Sequence, residues 1–240
     1  MAKRKALNER RLTKKEVAAL LAGNATDRPD LEQELSTPVL PIRTYELPDN
    51  RVLWVFQSGG LAGKGDIYTL DYCHRFIGWA KRLKTDRSAG RYNSVSHWRY
   101  FSSTGAGIAD KAAQLVQELE HAILGDRASL EMTYAGLDAA SGHVESIGIA
   151  QAQTEIYDHL VAYVGEVIRL RTHGEWKIET HQGEEESYPF ISAPRHAVIM
   201  PVNVVYSEMT GPGPADFRRE AANEVRRARA NYLPPFHNPL

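Results

Sequence analysis

From Asp216 the chain reads as an amphipathic helix. Phe217, Ala221, Val225 and Ala228 form an inward face, and Arg218, Arg219, Arg226, Arg227 and Arg229 form the outer one. Guanidinium groups in such density do one of two things. They can neutralise nucleic-acid phosphates, releasing counterions and making binding salt-dependent, or they can pair with carboxylates and stack across a protein interface. Glu220 and Glu224 fall among the arginines at helical spacings, and no aromatic side chain interleaves with them on that face. A surface that tracks phosphates excludes carboxylates, because each one cancels attraction and repels the backbone. These five arginines are therefore the candidate interaction residues, with a protein partner favoured over nucleic acid.

Other constellations are weaker. Gly59, Gly60, Gly63 and Gly65 follow an apolar strand and read as opening a helix, where phosphate loops lie. The phosphate-loop pattern needs a glycine five places before the Gly-Lys pair and a hydroxyl after it. Gly63-Lys64 has Ser58 and Gly65 at those places, so a structural turn is expected. Cys73 and His74 are adjacent, which on a helix points them about 100° apart and prevents a nucleophile–base pair. Cys73 falls on an apolar stripe and reads as a buried, inert thiol. His173, His181 and His196 flank a hairpin with Glu184 to Glu186, but none of the histidines stands in a ligand spacing such as His-Glu-x-x-His. Glu155 and Glu166 share nearly the same face of one helix and read as outer charges rather than a catalytic pair. There is no Gly-x-Ser-x-Gly elbow. The expectation is of no cofactor and no metal.

The totals fit a globular chain. Of 240 residues, 42% are hydrophobic and 25% charged, and the net charge is −1, so any attraction to nucleic acid or anionic lipid must be local. No apolar run approaches the roughly 18 residues that span a bilayer. The basic start MAKRKALNERRLTKKE lacks the apolar run of a secretory signal. The single cysteine excludes an internal disulfide and a cysteine-rich zinc site, and a reducing, cytoplasmic setting is expected.

The strongest element signal is TEIYDHLVAYVGEVIRLRTHGEWKIET, residues 154–180. Ile156, Leu160, Val161, Val164, Val167 and Ile168 recur at helical spacing. Thr154 is expected to cap this helix, Gly174 to stop it, and Trp176-Lys177-Ile178 to fold back as a strand, with Trp176 on the face of Val164 and Ile168. Tyr188 to Ile191 reads as the return strand after a polar loop, and Pro201 as the first turn of a short helix ended by GPGP at 211–214. Earlier, Thr13 and Glu16 form a capping box for a helix ending at Gly23. Residues 24–41 read as a linker with one helical turn, and Tyr45 to Leu47 as extended. Pro48 to Asn50 is a turn, and Val52 to Phe56 a strand buried on both faces. Helices are expected from Asp66 to Leu83 and from Ser103 or Thr104 to Gly125. An exposed loop fills 84–96, and strands are expected at His97–Phe101 and Ser129–Tyr134.

The fold class is α+β, helix-rich, with short strands and hairpins packed against amphipathic helices. Residues 1–37 form a basic arm, short helix and linker; 38–125 and 128–210 form α+β units, alternatively one domain; 211–240 form a basic helix and loose tail. The run AYVGEVIRLRTHGEW, then YPFIS and MPVNVVYSEM, resembles a group of bacterial domains of unknown function. These show a helix ending in a Tyr-x-Gly-Glu-Val-like run, a Gly-x-Trp hairpin and a Pro-led helix. The matching residues are Tyr163, Gly165, Glu166, Val167, Gly174, Trp176, Pro189, Ile191, Pro201 and Val205, within 128–210. SLEMTY matches the strand that such domains place ahead of the helix. The resemblance transfers no catalytic residue. It implies a bacterial source and a small α+β unit, and some such domains look like toxin-neutralising or other interaction modules. The expected function is thus protein binding, of an immunity type. The alternatives are an enzyme with a site between the halves and a nucleic-acid-associated protein using the basic termini.

Overall fold

The computed structural model describes residues 10–125, 130–180 and 187–230. The basic arm up to residue 9, the soft boundary at Asp126, the polar loop 181–186 and the tail from residue 231 lie outside them. The fold is α+β and helix-rich. The chain divides into two compact units, Met1–Lys84 and Thr85–Leu240. The division expected near Gly125 therefore falls earlier, because the helix that ends there packs within the second unit.

In the first unit, α1 (Lys14–Leu21) starts with the expected capping box. The Thr13 hydroxyl accepts from the Glu16 amide, and the Glu16 carboxylate accepts from the Thr13 amide at 2.8 Å. The expected linker is instead structured, as β1 (Thr26–Asp27) and α2 (Pro29–Leu35), with proline in the helix's first turn. β2 (Ile42–Glu46), β3 (Arg51–Phe56) and β4 (Gly65–Thr69) complete an antiparallel sheet in the order β1-β2-β3-β4. Asn50, left-handed at φ 61°, turns β2 into β3. The unbroken apolar run of β3 serves two cores. Val52, Trp54 and Phe56 meet Leu31, Leu35, Tyr68 and Cys73, whereas Leu53 and Val55 meet Val17, Leu47 and Ile67.

α3 (Leu70–Ser88) is shorter at its start than expected and longer at its end. Asp66 to Thr69 pair with β3 rather than beginning the helix. Asp66 is buried and takes three hydrogen bonds from Arg11, at 3.2, 3.3 and 3.1 Å, which hold it in the sheet.

The second unit is helical around one antiparallel sheet. α4 (Ser94–Phe101) replaces the expected strand, started by Asn93 and Ser96 in a reciprocal cap. α5 (Ile108–Leu124) forms where a helix is expected and buries Ile108, Ala112, Leu115 and Leu119, but Gly107 precedes it. Ser103 and Thr104 direct their amides elsewhere, to Asp158. Residues 130–133 are not a strand; Thr133 caps α6 (Tyr134–Ile147) through the Gly136 amide. α7 (Ile149–Glu155) contains Thr154, whose hydroxyl turns back to the Ala150 and Gln151 carbonyls and so caps nothing.

α8 (Tyr157–Thr172) is the organising helix. Leu160 to Val164, Val167 and Ile168 are all fully buried. His173 takes the left-handed position at its end, φ 53°, in place of Gly174. Gly174 is required for another reason, since a Cβ there would lie 2.5 Å from Ile191 Cγ2. β5 (Glu175–Thr180), β6 (Ser187–Ala193) and β7 (Ala197–Ile199) form the sheet in that order. Pro201 opens α9 (Pro201–Met209), and α10 (Phe217–Arg229) follows, seated by Phe217, Ala221 and Val225.

Trp176 folds back on α8 as expected, and its ring lies against Gly165. A Cβ at Gly165 would lie 2.2 Å from the indole ring. Gly165→Ala is expected to lower stability by about 1–3 kcal/mol through overpacking, read as a shift of the urea midpoint with an unchanged slope. An unshifted midpoint would show that the indole is not fixed there.

Candidate interaction surface

α10 is positioned by its cap and its apolar face. The Asp216 carboxylate accepts from the Arg219 amide at 3.0 Å, and Phe217, Ala221 and Val225 are buried against α6, α8 and α9. The outward arginines are then held one by one. Arg218 donates to Asp138 at 2.7 Å. Arg219 donates to Glu208 at 2.9 Å, and Glu208 also accepts from the Asp216 amide at 2.7 Å. Arg227 is paired with Glu224 one turn back. Arg229 donates to the Arg171 carbonyl at 3.1 Å. Arg226 is exposed and has no carboxylate partner among the described residues.

Burial pushes the carboxyl groups of Glu208 and Glu224 above their ordinary range, and the guanidiniums of Arg219 and Arg227 work against that rise. The helix is thus a mixed-charge ridge, three of whose five arginine heads are fixed by this chain's own carboxylates. It is not a row of free positive charge.

A second polar arrangement joins α8 to β5. Glu166 takes two hydrogen bonds from Arg169, at 2.9 and 2.8 Å, and one from the Trp176 indole at 2.7 Å. Burial alone would raise its pKa, but these bonds outweigh it and hold Glu166 below the ordinary value. Glu155 is engaged by Gln151 at 2.9 Å on α7, so the two glutamates share neither a helix nor a site.

The remaining motifs resolve as structure. Gly59–Leu61 is a 3-10 turn joining two antiparallel strands, with left-handed Gly59 and Gly63. No helix N-terminus follows it, so the electrostatics of a phosphate loop are missing. Cys73 is fully buried, and burial pushes its thiol up to about 11, leaving it protonated and unreactive. Among the described residues no group of three or more His, Cys, Asp or Glu could hold a metal; His181 and Glu184 to Glu186 lie outside them. No helix among them is long and apolar enough to cross a membrane.

One cluster escaped the sequence. His97 is fully buried, with Nδ1 3.0 Å from the Tyr157 hydroxyl and Nε2 3.1 Å from the Gln153 amide nitrogen. With that amide donating to Nε2, the ring proton sits on Nδ1 and is donated to the Tyr157 oxygen. Phe101, Tyr157 and Tyr206 pack their rings around it. Next to Tyr157, Asp158 accepts from the amides of Ser103 and Thr104 at 2.9 and 2.7 Å. Nothing in the local pattern of α4 announces this, because the partners arrive from α7, α8 and α9. A neutral imidazole closed off from solvent is a satisfied core group, not a general base.

No protein-family model matches the chain, and no curated protein or solved structure matches it.

Burial pushes His97 down to about 4, with Asp86 drawing it up and Arg91 drawing it down. Its folded pKa lies below the unfolded value of about 6.5, so the stability it contributes is fully present above that value. That contribution is lost as the pH falls toward about 4. The loss is expected to reach about 3 kcal/mol. Chemical denaturation measured across this window should show His97→Gln with a flatter slope than the parent, whatever its absolute stability. Parallel slopes would remove the histidine from the acid response.

Proposed function

We propose that this chain is a protein-binding module, of the immunity type implied by its resemblance, and that the outer face of α10 is its docking surface. The observation that carries this reading is the fixed ridge itself. Phe217, Ala221 and Val225 anchor the helix, while Asp138, Glu208 and Glu224 hold three of the arginine heads in place. Side chains ordered before binding lose less entropy on docking, which favours a specific macromolecular interface. Interleaved carboxylates suit a protein surface of both charges and oppose a phosphate backbone.

The test uses the double variant Arg218→Glu and Arg226→Glu. Both side chains point outward, and neither supports the buried Glu208 or Glu224, so the circular dichroism and melting curve should stay close to the parent. Crosslinking and pull-down from the native source should recover a partner with the parent and lose it, by about tenfold or more, with the variant. In parallel, fluorescence anisotropy with duplex DNA and RNA should show only weak binding at about 0.15 M salt. Tight nucleic-acid binding abolished by the double change would replace this reading with a nucleic-acid one.

A further inference from the structure

The last turns of α8 and α10 and the corner after β6 enclose a hollow of about 360 Å³ in the second unit, a size in the range of small-molecule sites. Its polar lining is Arg171, Thr172, His173 and Arg229, and Ala193 and Pro194 supply an apolar wall. No carboxylate among the described residues lines it.

Two guanidiniums set together need a reason. Arg229 has one, since it donates to the Arg171 carbonyl at the end of α8 at 3.1 Å. The neighbouring carbonyls are also engaged, Ile168 by the Thr172 hydroxyl at 2.8 Å and Arg169 by the Gly174 amide at 3.0 Å. Arg171 sits in the last turn of α8, where positive charge suits the helix end, but its guanidinium takes no hydrogen-bond partner among the described residues. Its guanidinium lies 3.8 Å from the centre of the Tyr134 ring, a cation–π contact that fixes the group by its flat face. Stacking of that kind leaves in-plane N–H donors unused, and the terminal nitrogens, unlike the buried Nε, are open to a ligand. No carboxylate among the described residues pairs with Arg171. A rigid, electropositive, concave site with spare in-plane donors is matched by an oxyanion, which guanidinium forks bind through paired oxygens.

We infer that this hollow binds the phosphate group of a small organic phosphate. Two fixed positive charges balance a phosphate dianion better than a carboxylate, and the Ala193–Pro194 wall receives the organic portion. The hollow shares Arg229 with the arginine face of α10, but phosphate binding does not depend on the protein-binding reading.

The test is calorimetric titration of the full chain with phenyl phosphate and with benzoate at constant ionic strength. Phenyl phosphate should give saturable heat with a Kd near or below about 1 mM, and benzoate should bind about tenfold more weakly or worse. Arg229→Gln and Arg171→Gln should each weaken phenyl phosphate by about tenfold or more, and Arg226→Gln, on the same helix but outside the hollow, should not. Arg171→Gln also removes the stacking on Tyr134, so if that variant fails to fold, Arg229→Gln alone decides. The parent without saturable heat, Arg229→Gln binding like the parent, Arg226→Gln losing affinity equally, or benzoate matching phenyl phosphate would each overturn the assignment. The Arg218→Glu, Arg226→Glu variant reports on protein docking alone, which keeps the two failures distinguishable.

Discussion

α8 is closed in by apolar neighbours along most of its length, and that constraint shapes the second unit. A helix with one apolar stripe needs one partner; a helix buried nearly all round needs several, each presenting a complementary face. α5 brings Leu115 and Leu119, α9 brings Val202 and Val205, α10 brings Phe217 and Ala221, and the sheet brings Ile191. One close fit is where the Trp176 ring meets Gly165, which leaves no room for a methyl group. Interiors packed this tightly have few alternative arrangements. The surfaces above α8, including the arginine ridge and the hollow beside Arg171, inherit their fixed geometry from it.

The polar groups follow the same logic. Several titratable side chains that are carried inward bring partners with them: Tyr157 and Gln153 at His97, Arg169 and Trp176 at Glu166, Arg219 at Glu208. Burial disfavours the charged form of each group, and the partners then decide the outcome. Glu166, with three bonds, ends below its ordinary pKa, and Glu208, more deeply buried, ends above it. Arg171 departs from this pattern, being fixed by an aromatic face while a buried donor goes unused. That asymmetry separates a group arranged for stability from one arranged for a ligand.

The first unit solves a different problem. Its sheet has apolar residues on both faces of β3, and two small cores form, one beneath α2 and α3 and the other beneath α1. The glycine turn between β3 and β4 follows from that sheet. A Cβ at Gly65 would lie 2.8 Å from the Trp54 carbonyl, so the strand pairing itself demands glycine there. A cluster that suggested nucleotide chemistry is accounted for by backbone proximity.

Local rules were enough wherever a signal was complete within a turn or two of chain. The Thr13–Glu16 box, the apolar stripes of α5, α8 and α10, the two-sided burial of β3 and the opening of α9 at Pro201 were all readable from spacing and residue type. Tertiary contacts decided the rest. Asp66 stays in a sheet because Arg11, far away in sequence, binds it, and Ser103 does not cap α5 because its hydroxyl is turned to Asp158. The five arginines could be named from sequence as a charged helix face, but not their partners. Asp138 and Glu208 come from other helices, and Arg171 meets Arg229 only once α8 and α10 are packed. Spacing along one helix records which side chains share a face. What that face meets depends on chain distant in sequence, and periodicity carries no record of it.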